Sequence, residues 1–329
     1  MVSNLLLKLS RQLYTDDNDR EQFIQSLLEP VPIHPAIVWC QDYQPKPFPC
    51  LEPLPWQPSF TDRLELHSRP GKHELHDQGY YYCLDSSSIF AATVLLGIAT
   101  PIKTIFDLCA SPGGKSIFAW RTFYPEMLYA NEVIGKRSAA LLANFKRCKI
   151  NNWEVLRSDV AVLAQQYSGQ GDLVIVDAPC SGQSLLAKNT KNDGCFHPTL
   201  INRNAQRQRR ILAHAATIVS PGGYLAYMTC TYAPAENEDN VNWFLKKFSN
   251  FRAIGVNCLQ DYQSHLTDIP CYRLMPQSKI GAGCFTVLLQ KTADEAGRAK
   301  HGRGESTFIL PELVKEGRSS NGISPISSV

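Results

Sequence analysis

Short apolar runs alternate with amphipathic stretches from about residue 86 to residue 291, and this alternation predicts most of the architecture. The runs 104–109, 127–132, 153–159, 172–178 and 224–230 are largely continuous instead of apolar at every second position, as in strands covered on both faces. Between them, residues 115–123, 136–148, 199–219 and 235–248 carry apolar positions at helical spacing. Such repeated strand–helix units predict an open α/β fold with a mostly parallel, doubly wound sheet, which takes its ligand at the carboxyl ends of its strands. Three further strand-like runs, 251–256, 272–275 and 284–290, can complete the sheet. Ser86-Ser87-Ser88 ahead of an apolar run predicts a helix start capped by a hydroxyl.

The first third of the chain has a different texture. Residues 1–29 read as helical, with apolar patches at 5–13 and 23–28. Nine of the 21 prolines then fall between Pro30 and Pro58, a density that excludes a long helix or a central strand. Trp39, Phe48 and Trp56 in the same stretch predict that it packs on another surface. Residues 59–78, charged and rich in His, predict an exposed connection. The expected organisation is a small N-terminal accessory module over 1–78, an α/β domain over 79–291 and a mobile tail over 292–329.

Composition narrows the class. A chain of 329 residues can bury ~75% of the surface its unfolded form exposes. With 44% hydrophobic and 19% charged residues it is neither disordered nor fibrous. The net charge of +3 is too mild to identify a nucleic-acid partner, so any basic surface must come from clustering. The eleven cysteines are odd in number and include no Cys-x-x-Cys pair. Leu5-Leu6-Leu7 is followed at once by Lys8 and Arg11, so no secretory core develops, and no run is long enough to span a membrane. A cytoplasmic monomer with reduced thiols, no membrane and no metal is expected.

The first strand–helix junction reads Asp107-Leu-Cys109-Ala110-Ser111-Pro112-Gly113-Gly114-Lys115-Ser116. Glycines there let a backbone approach a ligand, and the helix start offers free N–H donors. A phosphate-binding P-loop fails on two counts: its first glycine would be position 109, which is Cys, and Pro112 removes a donor. Acidic residues instead end four successive strands: Asp107, Glu132, Asp159 and Asp177. Glu132 is placed to accept ribose hydroxyls, and Asp159 to meet an adenine amino group. Four carboxylates suit a cofactor carrying a sulfonium and an amine and would repel a triphosphate, which favours S-adenosylmethionine.

Two thiols follow two neighbouring strands, Cys180 after Asp177-Ala-Pro179 and Cys230 after Met228-Thr229. In an open sheet both would face one cleft. A lone cysteine after a strand is structural more often than not. Two above a methyl-donor site are harder to dismiss, though sequence alone does not rank them.

These motifs resemble the Sun/RsmB/RsmF family of RNA cytosine-5 methyltransferases. The likeness is carried by residues 107–116, by Asp-Ala-Pro-Cys-Ser-Gly at 177–182, by Thr229-Cys230 with Glu236-Asn237-Glu238, by Gln208, and by 272–276 and 283–285. It implies a Rossmann-like class I methyltransferase in which Cys109, Ala110, Ser111, Pro112, Gly113, Gly114, Lys115, Glu132, Arg137, Asp159 and Asp177 bind S-adenosylmethionine. It further implies Cys230 as nucleophile and Cys180 as an aid to product release. Asp177 is placed to pass a proton to the target ring. The chain departs from the family pattern at Leu84, where Gln is usual, and at Gln183-Ser184.

An RNA partner, ribosomal or transfer RNA, is expected on one further ground. Arg203, Arg207 and Arg210 recur at i, i+4 and i+7 on one helix, with Lys188 in the loop before it, a basic face suited to phosphates. The rivals are a DNA cytosine methyltransferase and a non-catalytic RNA-binding scaffold.

Overall fold

The computed structural model describes residues 3–293. The chain opens with α1 (Asn4–Leu13) and α2 (Asp17–Leu28), capped by the Ser3 and Asp16 side chains, which accept from N–H groups of the first turns. Their apolar faces, Leu6, Leu9, Leu13, Phe23 and Leu27, pack with Tyr232 and Ala233. Next come β1 (Ala36–Trp39), β2 (Thr61–Arg63), α3 (Glu74–Asp77) and β3 (Tyr81–Cys83). The three strands form a small antiparallel sheet in the order β2-β1-β3. Proline density therefore misleads here: β1 is a central strand, because it lies in the proline-free interval between Pro35 and Pro45. Residues 59–78 are likewise more than an exposed connection, since Thr61, Asp62, Leu64 and Leu75 are buried.

The rest of the chain builds the main sheet. It comprises α4 (Ser86–Thr93), β4 (Thr104–Asp107), α5 (Gly114–Phe123), β5 (Met127–Asn131), α6 (Gly135–Arg147), β6 (Trp153–Leu156), α7 (Val160–Gln166), β7 (Gly171–Asp177), α8 (Pro198–Ile218), β8 (Val219–Thr229), α9 (Glu238–Lys247), β9 (Phe251–Ala253), β10 (Tyr272–Leu274) and β11 (Cys284–Lys291). The helix α4 is capped by the Asp85 carboxylate, which accepts from Ser87 N–H, and not by a serine hydroxyl. The expected helix over 235–248 begins only at Glu238, after a tight turn at Pro234–Glu236.

Strands run β10-β11-β8-β7-β4-β5-β6, parallel from β8 to β6, with β11 antiparallel to β8, β9 and β10. Side chains along β7 explain the continuous apolar runs. Leu173 and Ile175 enter one core with Phe90, Ile117 and Phe118, while Val174 and Val176 enter the core on the other face with Ile211, Leu212 and Phe244. Val38, Cys40 and Trp56 join the first of these cores, so the N-terminal sheet and the main sheet share apolar packing. The tail expected from residue 292 lies, from 294 onward, outside the described residues. Among the described residues no helix is long and apolar enough to cross a membrane.

One buried ion pair ties the far edge of the sheet to the start of α9. Arg273 and Glu238 are both almost fully buried and bonded at 2.6 and 2.5 Å, and Arg273 Nη1 also donates to Tyr232 O at 3.0 Å. Removing one partner strands the other charge in the core. Glu238→Ala is expected to destabilise the fold by ~3–5 kcal/mol in urea unfolding.

Candidate active site

The sheet changes winding direction between β4 and β7, and the site lies at the carboxyl ends of these strands, as such a crevice requires. In the β4–α5 turn, Gly113 adopts φ 112°, a left-handed conformation that an L side chain rarely takes. A Cβ there would also lie 3.1 Å from Leu141 and from Phe145. Arg137 locks the turn: its Nη2 donates to Ser111 O at 3.0 Å, and Ser111 Oγ donates to Arg137 O at 2.8 Å. Asp107 is turned inward. Its carboxylate accepts from Ser116 Oγ at 2.6 Å and from Cys109 N–H at 3.3 Å, and burial pushes it up to about 7. It braces the turn and does not face a ligand, so the acidic set at the cleft is Glu132, Asp159 and Asp177.

Those three carboxylates line a cavity of about 540 Å³. Glu132 is buried, accepts from Ile134 N–H at 3.0 Å and pairs with Arg137 at 3.3 Å, leaving its carboxylate at the cavity wall. Asp159 reaches the same wall while capping α7 through Ala161 N–H. Half-exposed Val133 and Ile134, with Val160, supply an apolar surface for a flat ring. Of the junction residues, Cys109 and Ser111 line the cavity. Ala110, Pro112, Gly113 and Gly114 form the turn that supports it, and Lys115 reaches the site through Asp177 at 2.6 Å. Burial alone would lower the Lys115 ammonium, but Asp177 reverses this and the net shift is upward.

The thiols come together because β7 and β8 are parallel and in register, Asp177 opposite Met228. Cys180 Sγ lies 3.0 Å from Cys230 Sγ, and both line the cavity. Cys230 is exposed to the cleft and Cys180 is half-buried. A hydrogen bond from Cys180 pulls the Cys230 thiol below its ordinary value against the opposing effect of burial, and Lys115 adds to the pull. The same bond, with burial, pushes Cys180 well up. Of two sulfurs in contact at one cleft, Cys230 is therefore the thiol held lower and Cys180 the one held higher.

The basic helix divides. Arg207 and Arg210 line the cavity together with His214, one turn further along α8, which continues the same face. Arg203 is exposed and lies off the cavity. Arg209 turns away to Asn240 Oδ1 at 2.8 Å and to the Trp243 ring. Lys188 is paired with Asp85 at 3.3 Å and lines a separate groove beside Pro30–Ala36. His214 could have been found by extending the 203, 207, 210 spacing by four residues. Asn131, which donates to Leu108 O and accepts from Ser158 N–H across the strand ends, carries no sequence signal of this kind. Among the described residues no cluster of three His, Cys, Asp or Glu side chains could hold a metal ion.

An open, mostly parallel sheet with a glycine turn after its first strand, a carboxylate after its second and an antiparallel strand at its far side is a Rossmann-like architecture. The family model for 16S rRNA methyltransferase RsmB/F matches residues 98–290, more than half of the sequence, and the chain belongs to that family. Its cofactor is S-adenosylmethionine. Ribosomal RNA small subunit methyltransferase F of Pectobacterium carotovorum subsp. carotovorum (strain PC1) is 29% identical over 250 residues, 74% of this chain and 51% of that protein. The protein of the same name from Escherichia coli O17:K52:H18 (strain UMN026 / ExPEC) is 28% identical over 249 residues, with 74% and 52% covered. The chain spans about half the length of the curated relatives it matches. Among solved structures, a methyltransferase homologue from Pyrococcus horikoshii has a TM-score of 0.70 at 20% identity, covering 88% of this chain and 95% of its own. NSun6 from the same organism gives 0.70 at 17%, covering 89% and 99%. At these identities the likeness is one of fold.

Proposed function

We propose that the chain methylates carbon 5 of a cytosine in structured RNA, ribosomal or transfer RNA, through a covalent bond between Cys230 and carbon 6. The observation that carries this reading is the pair of thiols 3.0 Å apart, sharing a cavity with Asp177 and its Lys115 partner. A DNA cytosine methyltransferase is the rival reading. The family is one of RNA enzymes, and the cationic face of α8 at the cavity suits a phosphate backbone of either kind.

Glu132 is positioned to accept ribose hydroxyls, Asp159 to accept from an adenine amino group, and Cys109 and Ser111 to line the approach to the sulfonium. Arg137 orients Glu132 and locks the β4–α5 turn. Bound there, S-adenosylmethionine supplies a methyl group on a positively charged sulfur. Cytosine carbon 5 is too electron-poor to take it unaided. The Cys230 thiolate adds to carbon 6, and its electrons raise the density at carbon 5. Asp177, held in place by the Lys115 ammonium, relays a proton to ring nitrogen 3 as charge develops there. After transfer a base takes the carbon-5 proton, the electrons of that bond restore the ring double bond, sulfur leaves carbon 6 as the Cys230 thiolate, and ring nitrogen 3 returns its proton to Asp177. The Cys180 S–H receives that thiolate. Arg207, Arg210 and His214 face the strand that carries the target, Arg203 and Lys188 extend its path, and residues 1–78 serve as an accessory RNA-recognition module. Its substrates place the chain in the cytoplasm.

Labelled methyl groups should enter RNA and not a matched DNA, and bisulfite sequencing should map them to cytosine. Label on another base, or equal label in DNA, would sink the reading.

A further inference from the structure

Behind the two thiols lies a carboxyl that the mechanism above does not use. Glu236, in the turn before α9, has no exposed surface. Its Oε2 accepts from Ser181 N–H at 2.9 Å and from Gln208 Nε2 at 2.8 Å, while Oε1 has no hydrogen-bond partner among the described residues. Gln208 Nε2 also donates to Pro179 O at 3.0 Å and is held by Asn240, which donates to its Oε1 at 2.8 Å. Both residues that flank Cys180 are thus gripped by this group. Ser181 Oγ lies 2.7 Å from Thr231 Oγ1, which links the Cys180 loop to the residue after Cys230.

A glutamine at 236 would accept the same two N–H groups without a buried charge. What the carboxylate adds is its charge, and that charge has a direction. Glu236 binds the N–H of Ser181, the residue after Cys180, whereas the Lys115 ammonium acts on Cys230. We propose that Glu236 is a positioning residue that fixes the division of labour between the thiols, keeping Cys180 as the S–H donor so that Cys230 is the thiolate. The hydrogen bond to Cys230 and burial push Cys180 up first, and the facing Glu236 carboxylate adds to them. Burial raises Glu236 itself, against the donors on its Oε2. The other titratable groups facing the pair include Lys115 of α5, Asp177 of β7, Arg207, Arg210 and His214 of α8, Tyr227 of β8, Tyr232 in the loop after it and Cys284 of β11.

The inference rests on reading Cys230 as nucleophile, and its test needs neither RNA nor turnover. The full chain is alkylated with limiting iodoacetamide and the two cysteines are quantified by mass spectrometry. In the wild type Cys230 should react faster than Cys180. In Glu236→Gln the ratio of the two rates should fall by about threefold or more, because Cys180 no longer faces a carboxylate. Glu236→Asp keeps the charge and should hold the ratio near the wild-type value. An unchanged ratio in Glu236→Gln overturns the proposal, as does an equal fall in both variants, which would make Glu236 a latch only. Should the Gln variant not fold, the wild-type ratio followed with falling pH reads the same charge, and a ratio that stays flat as the carboxyl takes up its proton overturns it. If Cys180 is already the faster thiol in the wild type, the role assignment under the proposed function fails, a result distinct from failure of the Glu236 proposal.

Discussion

Cys230→Ser is expected to leave a folded chain that binds S-adenosylmethionine and transfers no methyl group, whereas Cys180→Ala should accumulate RNA bound covalently to protein. Cys230 faces the cleft, so the substitution creates no cavity in the core and should leave the melting temperature nearly unchanged. A serine hydroxyl is far less acidic than a thiol held low by a neighbouring S–H and an ammonium. Turnover should fall on the order of 10⁴-fold or more, as when other nucleophiles are removed. Cys180 acts at the opposite end of the cycle. Its S–H lies 3.0 Å from the sulfur that must leave carbon 6, so without it addition and methyl transfer proceed while elimination stalls. The readout is a band that survives denaturing electrophoresis and disappears on ribonuclease treatment. An adduct in Cys230→Ser, or free turnover in Cys180→Ala, would reverse the assignment.

How far the sequence foretold this site depends on what kind of contact is involved. The central strands of the main sheet were legible because they are buried on both faces, as in β7, with Leu173 and Ile175 on one side and Val174 and Val176 on the other. The N-terminal sheet was not. Its strands are three or four residues long, and β1 sits between prolines that argue against any strand nearby. Helix α7 escaped as well, because seven residues beginning Val160-Ala161-Val162 carry too little helical period to read. At the site, strand ends located Asp107, Glu132, Asp159 and Asp177, but backbone position does not fix side-chain direction. Ser116, one turn into α5, draws Asp107 inward. Asp85 similarly takes up Lys188. The contacts that assemble the thiols, Asp177 and Lys115 join residues 50 to 62 positions apart, and no local pattern announces them.

Lys115 and Asp177 should both be indispensable near neutral pH, yet their losses should respond to pH in different ways. Lys115 is held charged by Asp177 against the effect of its own burial, and its ammonium helps to keep the Cys230 thiol low. Replacing it with methionine keeps the length and the apolar stem but removes the charge. The Cys230 thiol then rises, a smaller fraction is thiolate at any given pH, and the acid limb of kcat/KM moves toward higher pH. Asp177 also loses the partner that holds it in place, through a bond of 2.6 Å. Together these should lower kcat/KM by about 10²–10⁴-fold at neutrality, in the range of one general acid. Raising the pH should recover part of that loss, the part due to the thiolate fraction. Asp177→Asn should fall by a similar factor without such recovery, because what it lacks is a proton delivered to ring nitrogen 3, and alkali does not replace it. Full pH profiles of both variants, taken with saturating cofactor, separate the two roles. A Lys115→Met enzyme as active as wild type at neutrality, or one whose acid limb moves downward, would remove Lys115 from the activation of Cys230.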